Sequence, residues 1–273
     1  MFAADSATWG DAMTTAAAVS ESTVEVAGLG LHVEEAGEGP ALLLLHRSTG
    51  RHGWGALEDG LAASFRVIIP DLPGFGHSER PDWAREPRDL AILMHQLVVR
   101  MELNDLTLVG LGFGGFVAAE MATMNTERIA SLVLVGAAGI KPEEGEIMDQ
   151  MLIAFEEYVG AGLSDESTFA DHFGEEVERD VKDVWDFSRI MTARVTWSPY
   201  MFNRRLPHLL AEVQTPALVI WGEDDRVIPP IVGRQYTDAL GNAKLETIAG
   251  CGHRAELDQP QRLIELIAAH ATA

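Results

Sequence analysis

Gly110-Leu-Gly-Phe-Gly-Gly115 follows an apolar run and leads into an apolar helical pattern, Phe116-Val-Ala-Ala-Glu. Backbone N–H groups converging at a helix N-terminus can hold an anion. Read as G-x-G-x-x-G, the segment matches the fingerprint of a dinucleotide site, with Gly110, Gly112 and Gly115 in the three positions. The context speaks against that reading. The fingerprint opens the first strand-helix unit and is followed about 20 residues later by an acid closing the next strand. Here several apolar runs precede it, and the next run ends Leu134-Val-Gly-Ala with no acid before Glu143. Among the nine histidines, His32, His95, His172, His208 and His270 show no metal-ligand spacing, so neither a metal nor a cofactor is expected. His77 belongs to the turn after Asp71. Arg189 and Arg194 have the chemistry to hold a substrate carboxylate bidentately, although structural ion pairs with the many acids are the simpler expectation. The hydroxyl of Ser48 is a candidate nucleophile, set against a simple turn-capping role. Cys251, the single cysteine, reads as a small packed residue rather than a reactive thiol.

Composition narrows the partners. The chain has 273 residues, 47% hydrophobic, with 42 acidic against 20 basic side chains and a net charge of -22. That is enough chain for a full core, as one large domain or one domain with an insertion. Neutralising phosphates needs a basic face, so nucleic acid and anionic membranes are excluded as general partners; a small molecule is the expected one. Lysine occurs only at Lys141, Lys182 and Lys244. One cysteine forbids an internal disulfide framework and favours a reducing, cytoplasmic setting. The longest aliphatic run, Ala41 to Leu45, is too short to cross a bilayer. The N-terminal stretch lacks a basic region and an unbroken apolar segment, and does not read as a signal peptide. Oligomeric state is not legible.

The elements that must position these residues alternate. Thr23-Val-Glu-Val, a turn at Gly28-Leu-Gly30 and Leu31-His-Val-Glu read as a hairpin. Continuous apolar runs at Ala41 to Leu45, Val67 to Ile69, Leu106 to Val109, Leu132 to Val135 and Ala217 to Ile220 read as strands covered on both faces. Helical patterns fall at Trp54 to Phe65, Asp89 to Met101, Gly115 to Met124, Ile231 to Leu240 and Gln261 to Ala269. This alternation predicts an α/β fold: a mostly parallel central sheet with helices on both faces. Between Lys141 and about Val213 the strand rhythm stops. The apolar residues there, among them Met148, Phe155, Tyr158, Trp185 and Trp197, keep helical spacing and predict a helical cap. The expected organisation is a flexible extension over 1–21, a core over 22–140 and 214–273, and a cap over 141–213.

The chain resembles the α/β-hydrolase family over nearly its whole length after Ser22. The resemblance rests on segments in that family's order: Leu42-Leu-Leu-Leu-His46, Asp71-Leu-Pro-Gly-Phe-Gly-His-Ser78, Gly110 to Gly114, Gly222-Glu-Asp-Asp-Arg-Val-Ile-Pro229 and Gly250-Cys-Gly-His253. It implies the α/β-hydrolase fold with a cap, Asp225 rather than Asp224 as the acid, and His253 as the base. It also places His46 where the family keeps a structural histidine. The departure lies at the elbow G-x-S-x-G, where the nucleophile position is Gly112. Without a hydroxyl there, no acyl-enzyme forms at that residue. Glycine fits a sharp strand-to-helix turn because it has no Cβ to clash.

What remains implies noncovalent chemistry. Asp225 would fix the tautomer of His253 and leave the other ring nitrogen as a general base. The oxyanion hole would use the Phe113 N–H and the loop after His46, which reads His46-Arg-Ser-Thr-Gly50 and so brings in Arg47 and Ser48. Arg47 is expected to turn outward, the alternative being added positive charge at the oxyanion. His46, His52, Trp197 and Arg189 are possible pocket residues. The leading expectation is a hydrolase of a small, mostly apolar ester, lactone or C–C substrate acting through activated water. Cofactor-free lyase, isomerase or oxygenase chemistry on the same pair stays open. So do an inactive ligand-binding protein and a serine hydrolase whose nucleophile was replaced.

Overall fold

The protein is described by a computed structural model covering residues 18–51 and 53–272. His52 and most of the expected N-terminal extension lie outside the described residues. The strands are β1 (Ser20–Val26), β2 (Leu29–Ala36), β3 (Ala41–Leu45), β4 (Arg66–Pro70), β5 (Leu106–Leu111), β6 (Ile129–Val135), β7 (Ala217–Gly222) and β8 (Ala243–Ile248). The helices are α1 (Ala56–Ala62), α2 (Pro87–Arg100), α3 (Phe113–Met124), α4 (Phe155–Ala161), α5 (Phe169–Phe173), α6 (Arg179–Thr196), α7 (Leu206–Leu210), α8 (Ile231–Ala239), α9 (Ala255–Asp258) and α10 (Pro260–Ala271).

One 8-stranded sheet has the order β1-β2-β4-β3-β5-β6-β7-β8. The pairs β1-β2 and β2-β4 are antiparallel and all others are parallel. The apolar runs become the central strands for the reason their composition suggests: β5 is buried at every residue, so both faces need aliphatic side chains. One side of the sheet buries α2 and α3 residues such as Leu90, Met94, Phe116 and Val117 in one core cluster. The other side buries Leu57 and Leu61 of α1 with Leu263 and Ile267 of α10.

Two features differ from expectation. The strand β8 has no counterpart in the apolar runs, because as an edge strand it buries only one residue fully and carries Lys244 and Glu246 on its exposed positions. The helical pattern starting at Trp54 begins only at Ala56, after Gly55, whose N–H is taken by Glu58 Oε2 at 3.0 Å. Between β6 and β7 the chain is helical, α4 through α7, with isolated bridges at Gly139–Phe202 and Trp197–Tyr200. Parallel strands bring the ends of β3, β5, β6 and β7 to one edge of the sheet, and the residues that follow those strands meet there.

Candidate active site

Gly112 stands between the last residue of β5 and the first of α3, with φ 52° and ψ -111°. This is the positive-φ turn that glycine tolerates and other residues resist. Its N–H donates to Val135 O at 2.9 Å and its carbonyl accepts from Ala138 at 3.0 Å, so the turn is locked to the end of β6. Phe113 opens α3, where first-turn N–H groups have no acceptor within the helix.

His253 and Asp225 come from the loops after β8 and β7. Asp225 is buried whereas Asp224 is exposed, so the alternation along the loop selects the carboxylate that faces inward. Asp225 Oδ2 lies 2.8 Å from His253 Nδ1, while Oδ1 accepts from the N–H groups of Val227 at 2.9 Å and Ile228 at 2.8 Å. The carboxylate therefore has both oxygens engaged and one orientation. Burial lowers the pKa of His253; Asp225 opposes that and Arg47 reinforces it, so the ring is neutral with Nδ1–H donated to Asp225.

The Nε2 lone pair then faces Gly112, but it is already occupied. Arg47 Nη1 donates to it at 2.9 Å. The expectation that Arg47 turns to solvent is wrong: its side chain is only 4% exposed. Glu256 is the physical reason. Arg47 Nε and Nη2 reach Glu256 Oε1 and Oε2 at 2.7 and 2.8 Å, a bidentate pair, and Nη2 also donates to His253 O at 2.6 Å. Burial disfavours both charges, yet the pairing raises the pKa of Arg47 and lowers that of Glu256, keeping the two ionised. A Cβ on Gly112 would sit 2.9 Å from Arg47 Nη1 and 3.2 Å from His253 Nε2. The missing side chain at 112 and the inward arginine at 47 are thus one steric arrangement.

The other expected residues are distributed differently. His46 is buried, with Nδ1 against Arg47 O at 2.7 Å and Nε2 accepting from Leu72 N at 2.9 Å. Burial pushes its pKa down to about 4, and it braces the loop. Ser48 is buried and donates to Gln150 Oε1 at 3.1 Å, with Tyr158 as a further partner. Its hydroxyl is thereby tied to the helical segment rather than to His253. Arg189 stacks 4.0 Å over the Phe155 ring and donates to Ile153 O at 3.1 Å. Arg194 donates to Ala84 O at 3.2 Å and to Asp82 O. Main-chain carbonyls take the place of the acids expected for both. Trp197 is 70% exposed and lines a separate cleft of about 770 Å³ with Phe116, Arg194 and Phe202. Cys251 is buried, its thiol pKa pushed up to about 12 by burial.

A smaller cavity of about 320 Å³ adjoins the site. Leu44, Ile69, Leu111 and Trp54 give it apolar walls, and its charged lining sets Arg47, Arg51 and Arg254 against Glu58 and Glu256. Arg254 is buried, donates to Thr49 Oγ1 at 3.2 Å, and its pKa is lowered to about 10 by burial. Neither cavity is lined by His253, Asp225, Gly112 or Phe113; Arg47 lines the smaller cavity and also donates to His253 Nε2, and Arg254, next to His253 in the chain, lines it as well. Sequence reasoning missed Glu256, Arg254, Gln150 and Tyr158. The only local signal was an arginine and a glutamate closely following His253. Nothing in the chain near Arg47 points to residue 256.

Residues 42–266 match the model of the alpha/beta hydrolase family, and the chain belongs to that family. A 2-hydroxy-6-oxononadienedioate/2-hydroxy-6-oxononatrienedioate hydrolase of Burkholderia vietnamiensis is 29% identical over 259 residues, 88% of this chain and 90% of that one. A 2-hydroxymuconate semialdehyde hydrolase of a Pseudomonas species is 28% identical over 262 residues, with the same coverage of 88% and 90%. Among solved structures, a 2-hydroxy-6-oxo-6-phenylhexa-2,4-dienoate hydrolase from Rhodococcus superposes with a TM-score of 0.74 at 24% identity, covering 94% of this chain and 100% of the other. A bacterial membrane phospholipase A superposes at 0.78 with 20% identity, covering 93% and 86%. These structures share the fold. No helix among the described residues is long and apolar enough to cross a membrane.

Proposed function

We propose that this protein is a hydrolase of small, mostly apolar organic molecules carrying a carboxylate, with C–C bond hydrolysis as the leading reaction and no covalent intermediate at residue 112. The observation that carries the reading is the buried Asp225–His253 pair at 2.8 Å, with Nε2 directed to Gly112 at the start of α3. A positioned imidazole in this orientation is a general base. In the proposed cycle water gives a proton to His253 Nε2 and bonds to a substrate carbonyl carbon, the negative oxygen resting near the Phe113 N–H. The C–C bond then breaks with its electron pair on the departing carbon, which takes the proton back from His253. Residues 141–213 act as a cap, 22–140 and 214–273 as the core, and the lone buried cysteine suits a cytoplasmic location.

Arg47 sets the condition for turnover. It must release Nε2, and a substrate carboxylate offers its guanidinium the same bidentate partner that Glu256 now supplies. The cavity of about 320 Å³ sets three arginines, Arg47, Arg51 and Arg254, against two carboxylates, Glu58 and Glu256, among apolar walls, and this excess of cations supports a ligand with a carboxylate. The hydrolases of dioates and a semialdehyde at 28–29% identity support this substrate class.

The Arg47–His253 bond favours one second reading, a ligand-binding protein without turnover. A panel of aryl esters, lactones and vinylogous diketo acids separates the two. Turnover lost in His253→Ala, with a pH profile reporting one basic group, supports the enzyme. Unchanged turnover in His253→Ala overturns it. Compounds that bind, lose affinity in Arg47→Met and are never converted establish the binding protein instead.

A further inference from the structure

We infer that His32, Asp71 and His77 form a site for a divalent transition-metal ion of the zinc class, at the edge of the sheet and separate from His253. Among the described residues these three offer ligand atoms that all lie within 4.8 Å of one another. Two imidazoles and one carboxylate form the nitrogen-rich donor set suited to zinc, cobalt or nickel rather than to calcium or magnesium, which take oxygens. Asp71 Oδ2 is 3.2 Å from His32 Nδ1 and 3.7 Å from His77 Nδ1. A tetrahedral ion with bonds of about 2.0–2.1 Å needs ligand-to-ligand edges of about 3.3 Å. The carboxylate edges are therefore close to the required length, and only His77, on an 83% exposed side chain, has to move inward.

The main chain has already assembled the other parts. His32 N donates to Ser78 Oγ at 2.9 Å, Ser78 Oγ donates to Asp71 O at 2.7 Å, Asp71 N donates to His32 O at 3.0 Å, and His77 N donates to Asp71 Oδ2 at 2.9 Å. Gly76, at φ 50°, lets the turn wrap the Asp71 carboxylate, which any Cβ there would strike. An independent observation concerns the far side of His32. Its Nε2 is 3.4 Å from Glu21 Oε2. Metal-bound histidines typically give their second ring N–H to a carboxylate, which orients the ring and strengthens it as a ligand. Glu21 on β1 and His32 on β2 stand in that relation, with Nδ1 left toward Asp71 and His77. Three protein ligands leave a position open to water. The ion would clamp the β1-β2 hairpin to the turn after β4, two elements distant in the chain.

The test is calorimetric titration of the full chain, stripped with chelator, with Zn2+ and in parallel with Mg2+, plus Co2+ titration read by visible absorption. The expected result is one Zn2+ per chain, a Co2+ spectrum of nitrogen-oxygen ligation, and no comparable Mg2+ binding. His77→Gln, at an exposed position that leaves the fold intact by circular dichroism, should weaken Zn2+ at least tenfold, and Glu21→Gln about tenfold. Zn2+ affinity unchanged in His77→Gln, or equal binding of Mg2+ through the acidic surface alone, overturns the site.

Discussion

The pairing of Arg47 with Glu256 can be measured directly. Arg47 gives Glu256 two short bonds at 2.7 and 2.8 Å, with side-chain exposures of only 4% and 15%. Removing one partner of a buried pair leaves an uncompensated charge, which costs about 3–5 kcal/mol. Glu256 keeps some solvent, and Arg254 stands 3.8 Å away as a second cation. Arg47→Met should therefore fall at the lower end, about 3 kcal/mol. Glu256→Gln strands the guanidinium and should cost a similar amount, about 3 kcal/mol. The double variant removes both charges, so its loss should fall short of the sum by at least about 2 kcal/mol. Urea unfolding followed by tryptophan fluorescence supplies the four free energies. NMR of the His253 ring supplies a second readout, because Arg47 is among the causes lowering that pKa; in Arg47→Met it should rise. Losses that add within about 0.5 kcal/mol, the margin for independent sites, would refute the buried pair. An unmoved His253 titration would refute the Arg47–Nε2 contact.

Two further outcomes follow from the same geometry. Gly112→Ser places a Cβ in a positive-φ turn and 2.9 Å from Arg47 Nη1, so it should destabilise by about 1–3 kcal/mol and show little activity on aryl esters; Gly112→Ser with Arg47→Gly should gain esterase activity, checked by hydrolysis of a p-nitrophenyl ester. His46, with a folded pKa of about 4 against 6.5, binds its proton far more readily in the unfolded chain. Its neutral form stabilises fully above pH 6.5, and this contribution, about 3 kcal/mol, is lost as pH falls toward 4. Urea melts of His46→Gln across that window, with chelator present, should show a shallower acid slope than the parent chain.

Much of the architecture was legible because local rules and tertiary burial agree. Ala41 to Leu45 and Leu132 to Val135 are aliphatic because both sheet faces are covered, and a continuous run reports that without knowledge of neighbours. β8 escaped because an exposed edge strand carries charges that mask its period. At the candidate site, Asp225 and His253 were readable from loop motifs, and Gly112 from its place in the elbow. The orientation of Arg47 was not, since a side chain turns inward or outward according to what partner burial provides. That partner, Glu256, lies at the opposite end of the chain and arrives only when α9 packs beside the loop after β3.

The same division holds for His32 and His77. Their types and positions are properties of the chain, but pairwise spacing says nothing when strand β2 and the turn after β4 belong to different segments. Sequence alone determined the sheet type, the order of the central strands with their flanking helices, and the residues able to donate, accept or titrate. The tertiary structure alone decided which of them meet, because charge pairing and ligand convergence depend on distances of a few ångströms that only chain closure sets.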